Sequence, residues 1–158
     1  MLRNKAKGFT IIEVLISMVI LSIGVLALGI LQLVSIQNTQ GGYLRSQATI
    51  LAYDMIDSMR ANIPAVTNGV YRLTFAAATP AAVNCYGLAA DCASGQMALS
   101  DINRWRTVLA NYLPSGNGQI TTVLNATTTQ VTVSIQWFDP FTAESGSEQV
   151  TLLAELRQ

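Results

Sequence analysis

One carboxylate, that of Glu13, is the fifth residue of a strongly apolar stretch that begins at Phe9. Between Val14 and Leu44 the chain has no charged residue. An acid at the centre of a membrane span costs roughly 2.5–3.5 kcal/mol on insertion scales, and acids retained within a span usually have a function. A carboxylate in a low-dielectric environment is costly alone and tolerated when a cation pairs with it. The chemistry predicted for Glu13 is therefore charge pairing.

The apolar stretch is long enough to cross a membrane. At 1.5 Å per residue, about 20 apolar residues span the ~30 Å hydrocarbon core, and residues 9–36 exceed that length. Basic residues precede the stretch (Arg3, Lys5 and Lys7) and none soon follows it. The positive-inside rule then predicts a cytoplasmic N-terminus and a periplasmic domain after residue 40.

Two other interpretations of this stretch compete. An ordinary secretory signal peptide would be cut at a site such as Ala27-Leu28-Gly29, but its apolar region spans only about 7–15 residues and carries no acid near its start. A generic single-pass anchor accounts for the length and the orientation. It gives no reason for an acid at position 13.

Cys85 and Cys92 are the only cysteines, and six residues separate them. In an oxidising compartment this pair predicts a disulfide, worth about 2.5 kcal/mol by the chain-entropy estimate; two free thiols are the alternative. The chain has no histidine, which excludes imidazole bases and histidine metal sites. We expect no catalytic residue, no metal and no cofactor. An acid-pair hydrolase built on Asp91 and Asp101 is the one enzymatic alternative.

The helix is expected to continue beyond the apolar stretch as an amphipathic helix. Leu44, Ala48, Leu51, Met55 and Met59 recur at spacings of three and four and form one apolar face. The opposite face is charged. A kink or a locally melted turn is predicted at Gly41-Gly42, and an end near Asn62, because Pro64 disfavours helix at Ile63.

The remaining sequence predicts a small antiparallel sheet and a second helix, which makes the fold class α+β. One face of the sheet, formed by alternate residues of each strand, should pack on the long helix. Trp105 and Trp137 are expected in the core. Residues 76–98 are expected to be a loop, and Gly146 a turn. A helix is predicted at Asp101–Leu113, with Ser100 as its N-cap and the carboxylate of Asp101 at the positive N-terminal end of the helix dipole. Strands are predicted at Val70–Phe75, Ile120–Leu124, Gln130–Phe138 and Glu148–Leu156.

The segment Lys7-Gly8-Phe9-Thr10-Ile11-Ile12-Glu13 resembles the class III signal of type IV pilins and pseudopilins. The resemblance implies cleavage by a prepilin peptidase between Gly8 and Phe9, and N-methylation of Phe9. It also implies that Glu13 pairs with the N-terminal amine of a neighbouring subunit. Isoleucine at position 11 replaces the commoner leucine, which is a conservative change.

Three later segments look like PilV-type minor pilins: Ser58–Asn62, Asp101–Trp105 and Leu113–Gly118. Members of that group commonly place proline directly after the asparagine, whereas Ile63 intervenes here. The resemblance implies a type IV pilin-like fold with a leader at residues 1–8, a membrane and assembly half at residues 9–40, and a globular domain at residues 41–158.

The function implied by the resemblance is that of a non-enzymatic minor pilin, with roles in pilus priming, adhesion, twitching motility or DNA uptake. The implied partners are other minor and major pilins, the prepilin peptidase, the inner-membrane assembly platform and the membrane itself. A surface that binds nucleic acid is not expected, because the chain without its leader has six arginines and nine acids and is therefore negatively charged. A type II secretion pseudopilin is the nearest alternative, and a membrane-anchored periplasmic enzyme or binding domain is the alternative from another class.

Overall fold

The computed structural model describes residues 8–86, 91–140 and 146–157. The fold class is α+β, as the sequence predicts, and the chain divides into two compact units between Gln40 and Gly41. In chain order the elements are α1 (Ile11–Ala61), α2 (Ile63–Thr67), α3 (Ser94–Tyr112), β1 (Asn117–Leu124), β2 (Thr128–Phe138) and β3 (Ser147–Arg157).

Helix α1 has 51 residues, with an acid in its first turn and a base in its last, as the helix dipole favours. It remains helical through Gly41 and Gly42, so the melted turn predicted there is not present. The predicted end of the long helix near Asn62 is confirmed, since α1 ends at Ala61. The reason given for it is wrong, because Ile63 is itself helical: it begins α2, and Pro64 lies in the first turn of that helix. A proline is tolerated there, since first-turn N–H groups have no partner within the helix.

The three strands form one antiparallel sheet in the order β1-β2-β3, as predicted. The register pairs Ile120 with Val133, and Val133 with Leu152. The predicted first strand at Val70–Phe75 is wrong, because only Leu73 forms a bridge, with Ile120. Their main chains exchange two hydrogen bonds, of 3.0 and 2.8 Å.

The core of the second unit lies between the sheet, α3 and the amphipathic part of α1. Trp105 and Trp137 are each 2% exposed, which confirms their predicted burial. The indole Nε1 of Trp105 donates a 2.9 Å hydrogen bond to the Leu51 carbonyl of α1. A Cβ at Gly118 would lie 2.2 Å from Cη2 of Trp105, so the strand approaches the indole closely only because this residue is glycine.

Helix α3 begins at Ser94, seven residues before the predicted start, so the expectations of a loop up to residue 98 and of Ser100 as the cap are wrong. The residue before the helix is Ala93, whose N–H donates to Oε1 of Gln96 at 3.1 Å. The Ser100 hydroxyl instead donates to the Val83 carbonyl at 2.8 Å. Because no serine, threonine, aspartate or asparagine occupies the N-cap position, the sequence does not mark the start of this helix.

Candidate functional site

The first unit presents its apolar side chains outward. Phe9 is 80% exposed, and the large apolar side chains from Ile11 to Ile36 are 43–83% exposed. Among the described residues, α1 is the one helix long and apolar enough to cross a membrane, by length and composition. An exposed apolar surface of this extent indicates contact with lipid or with other apolar helices.

Glu13 lies in the first turn of α1, and its N–H donates to the Thr10 carbonyl at 3.1 Å. Its carboxylate forms no ion pair with any residue that the structure describes. Gly8 and Phe9 precede the helix, and both are exposed. This arrangement leaves the carboxylate available to a cation from another molecule.

Three hydroxyl groups in the first unit are satisfied by the helix itself. Ser17, Ser22 and Thr39 each donate to the carbonyl four residues earlier, at 2.7–2.8 Å. Such bonds remove the need for water or a second polar side chain. Between Val14 and Leu31 the surface therefore combines apolar side chains with two serine hydroxyls, of Ser17 and Ser22, that already have acceptors.

A buried polar cluster surrounds Asp101 in the second unit. Asp101 is 5% exposed. Its Oδ2 accepts a 2.6 Å hydrogen bond from the Tyr71 hydroxyl, and its Oδ1 accepts one from the Tyr86 hydroxyl. The expectation that Asp101 stabilises the start of a helix is wrong, because it lies two turns inside α3. Its carboxylate instead joins α3 to two other segments of the chain.

The two tyrosines that bond to Asp101 are both held in the neutral form. Burial, followed by the hydrogen bond to Asp101, raises the pKa of Tyr71 well above its usual range. The same two causes raise the pKa of Tyr86, which is more exposed. A phenol beside a carboxylate must stay protonated to donate, so the cluster favours neutral tyrosines.

Asn62 connects the end of α1 to this cluster. Its Nδ2 donates to the Ser94 carbonyl at 2.8 Å and to the Tyr71 hydroxyl at 3.4 Å. The structure therefore brings together the segments Ser58–Asn62 and Asp101–Trp105, which the sequence singles out separately.

The disulfide predicted between Cys85 and Cys92 is present. It closes a loop that begins directly before Tyr86, one of the two donors to Asp101. The guanidinium of Arg104 lies 5.4 Å from the centroid of the Tyr86 ring. Arg104 also forms a 3.6 Å ion pair with Asp54 of α1, so Tyr86, the neighbour of Cys85, lies beside a contact that joins α1 and α3.

The structure offers no support for an acid pair made of Asp91 and Asp101. Asp91 is exposed, whereas Asp101 is buried and both its oxygens accept hydrogen bonds from tyrosines. Within the described ranges, no group of three or more potential metal ligands comes together.

Sequence reasoning missed the Tyr71–Asp101 contact and a buried cation. Arg106 is 8% exposed, and its guanidinium donates to the carbonyls of Thr74 (2.8 Å) and Ala77 (3.4 Å). Burial lowers the pKa of Arg106. The helical pattern places Arg106 among polar residues, so the sequence does not indicate that it is buried. Its hydrogen-bond acceptors are main-chain carbonyls of a segment that is distant in sequence.

Two family models match this chain. The model described as "Prokaryotic N-terminal methylation motif" matches residues 3–29, and the model described as "Type IV pilin Tt1218" matches residues 30–103. The two matches are contiguous and include the apolar stretch, Ser58–Asn62 and residues 101–103. No curated protein and no solved structure matches the chain significantly.

Proposed function

Since this chain belongs to the type IV pilin superfamily, we propose that it is a minor pilin, a structural subunit that takes part in priming and assembly of a type IV pilus. The observation that carries the proposal is the exposed apolar helix, which begins two residues after Phe9 and has one carboxylate, Glu13, in its first turn. A helix of this kind suits storage in a membrane followed by packing among other apolar helices.

In this proposal a prepilin peptidase cuts between Gly8 and Phe9 and the new amine of Phe9 is methylated. The amine stays cationic, and Glu13 of a neighbouring subunit pairs with it. In a low-dielectric bundle each charge is unfavourable alone. The ion pair therefore fixes the axial offset between subunits. The apolar side chains hold the helices together but do not specify one offset.

The proposed location follows the same reasoning. The chain is first held in the inner membrane as a single pass with its second unit in the periplasm, and later becomes part of the pilus. Its partners are then the peptidase, the assembly platform and other minor and major pilins, which contact the apolar part of α1.

The minor role is supported by the segments that resemble PilV-type minor pilins. Ser58–Asn62 and Asp101–Trp105 are distant in sequence but meet through Asn62, Tyr71 and Asp101. The pseudopilin of a type II secretion system remains the second candidate, because the same anchor would serve it.

Deletion of the gene separates these two functions. Loss of surface pili with normal protein secretion, restored by the wild-type gene, is expected for a minor pilin. Antibodies against the second unit should also label sheared pili at a level far below the major subunit. Normal piliation with blocked secretion would contradict the proposal and identify a pseudopilin.

A further inference from the structure

We propose that a cleft on the second unit binds a carboxylate side chain of an extended peptide segment from a partner protein, with Arg72 as the cation that receives it. The inference does not rest on the proposed function. The cleft has a volume of about 550 Å³, and we call it the arginine cleft. Its lining comprises Arg72, Leu73, Thr74, Ala77, Ile120 and two threonines of β1.

Arg72 is held in position by its neighbours. Its Nε donates a 2.7 Å hydrogen bond to Oγ1 of Thr122. The side chain also passes close over Gly69, where an added Cβ would lie 3.3 Å from Nε and where φ is +73°. With Nε engaged, the two terminal nitrogens remain, and neither donates to any acceptor in the described part of the chain. These nitrogens form the fork that binds a carboxylate through two hydrogen bonds.

A second cation lies behind the same segment. Arg106 donates to the carbonyls of Thr74 and Ala77, which both line the cleft, while its own Nε is buried without an acceptor. Arg106 forms no ion pair with a described residue. A buried guanidinium without a counterion favours an anion nearby.

No acid is among the described residues that line the cleft. Three described acids of this unit pair with arginines elsewhere, namely Asp54, Asp57 and Glu148. Asp101 is occupied by its two tyrosines. The arginine cleft therefore has one cation, Arg72, in its lining, with a second, Arg106, buried behind it and no acid among the described lining residues, and this balance of charge attracts an anionic ligand.

The rest of the lining favours a peptide over a nucleic acid. Leu73 and Ile120 are buried apolar side chains, and Ala77 is half-buried. Of these three, half-buried Ala77 offers the apolar surface that suits the methylene stem of a glutamate or aspartate. A nucleic-acid backbone is bound by a series of accessible cations, whereas Arg72 is the one cation in the lining.

The test is an NMR titration of the full chain in detergent micelles with the peptide acetyl-Ala-Leu-Glu-Leu-Ala-amide. We expect saturable amide shifts confined to residues 72–77 and 120–122. A peptide with glutamine in place of glutamate should bind about tenfold more weakly, because it loses the charge-assisted bonds. Arg72→Gln should weaken binding by a similar factor, and Arg157→Gln, an exposed arginine on β3, should bind as the wild type does. Amide shifts outside the cleft report whether each variant is folded.

Three outcomes would overturn the inference. The glutamine peptide could bind as tightly as the glutamate peptide, or Arg72→Gln could match the wild type. In the third outcome, a single-stranded decanucleotide shifts the same amides while the glutamate peptide does not. That result would assign the cleft to nucleic acid.

Discussion

The Tyr71 hydroxyl donates a 2.6 Å hydrogen bond to Oδ2 of Asp101, and both residues are buried. The bond joins the segment after α2 to the middle of α3, across 30 positions of sequence. Because Tyr86 supplies the other carboxylate oxygen with a donor, both oxygens of Asp101 are satisfied by neutral phenols. The stability of this cluster should therefore depend on those phenols keeping their protons.

Raising the pH above about 10 is expected to lower the free energy of unfolding. Burial and the hydrogen bond to Asp101 raise the pKa of Tyr71 and Tyr86 in the folded chain, whereas unfolded tyrosines ionise near pH 10. A raised folded-state pKa contributes stability that is complete below about pH 10 and is lost as the pH rises through the folded pKa. The measurement is urea unfolding between pH 8 and pH 11, followed by near-ultraviolet circular dichroism.

The matched variants for this pH series are Tyr71→Phe and Tyr112→Phe. Tyr71→Phe should make the alkaline loss shallower, because it removes the phenol with the raised pKa. Tyr112 is 59% exposed, so its phenylalanine variant should follow the wild-type curve. Equal slopes for the wild type and Tyr71→Phe would show that this phenol does not control alkaline stability.

Gly118→Ala should destabilise the second unit by about 1–3 kcal/mol, the usual cost of forcing extra volume into a packed core. The new Cβ would lie 2.2 Å from Trp105 Cη2 and 2.9 Å from Leu109 Cδ1, so the core must shift. Gly95→Ala in α3 is the control, since no atom lies within 4 Å of its added Cβ. The urea midpoint should fall for Gly118→Ala and should stay unchanged or rise for Gly95→Ala. Equal stability of both variants would refute the packing argument.

Removal of the disulfide by the double change Cys85→Ser and Cys92→Ser should cost about 2.5 kcal/mol, because the unfolded chain regains the freedom of the loop. Reducing agent should lower the stability of the wild type and leave the double variant unaffected. Mass spectrometry of unreduced peptides should find the two cysteines linked. Two thiols that alkylate freely in native protein would contradict the bond.

Processing should leave a mature chain that begins at N-methylated Phe9. Gly8→Val should block cleavage, because a branched side chain beside the scissile bond obstructs its entry into a peptidase site. Intact mass of membrane-extracted protein measures both results, with Gly24→Ala, within the apolar stretch, as the processed control. A mature start near Ile30 would instead indicate ordinary signal-peptidase cleavage.

Glu13→Ala should leave processing and membrane insertion intact, since an apolar helix without an acid inserts more readily. Incorporation into the fibre should fail, because the neighbouring amine loses its counterion. The measurement compares the sheared pilus fraction with the membrane fraction of the same cells, and Glu155→Ala on β3 is the control. Wild-type levels of the Glu13 variant in sheared pili would disprove charge pairing.

Periodicity predicts the parts of the fold that bury one face continuously. The apolar repeat from Leu44 to Met59 specifies the buried side of α1, and alternation from Val131 to Trp137 specifies β2. These patterns are local, because the apolar or polar type of each residue indicates whether that residue is buried. The grouping of Glu13 with Gly8 and Phe9 is likewise local, so the residue types and their spacing are sufficient to predict a processing and assembly site there, and that site stays a prediction.

The contacts that sequence reasoning misses depend on distant segments. Ser100-Asp101 has the composition of a helix start, yet α3 begins at Ser94 and Asp101 meets Tyr71 instead. The burial of Arg106 depends on carbonyls near Thr74, and the position of Arg72 on the turn at Gly69. Only the folded chain brings these groups together.

Because Trp105 and Trp137 are buried in the core of the second unit, tryptophan fluorescence reports whether that unit is folded. The chain has two tryptophans, and neither lies in the first 40 residues. Intrinsic fluorescence excited near 295 nm therefore arises from the core of the second unit, whatever surrounds the apolar helix. Emission should shift to longer wavelength when that core opens and stay constant when the helix moves between detergent and lipid. The same signal can thus compare the unit's stability in micelles, in vesicles and in an assembled fibre.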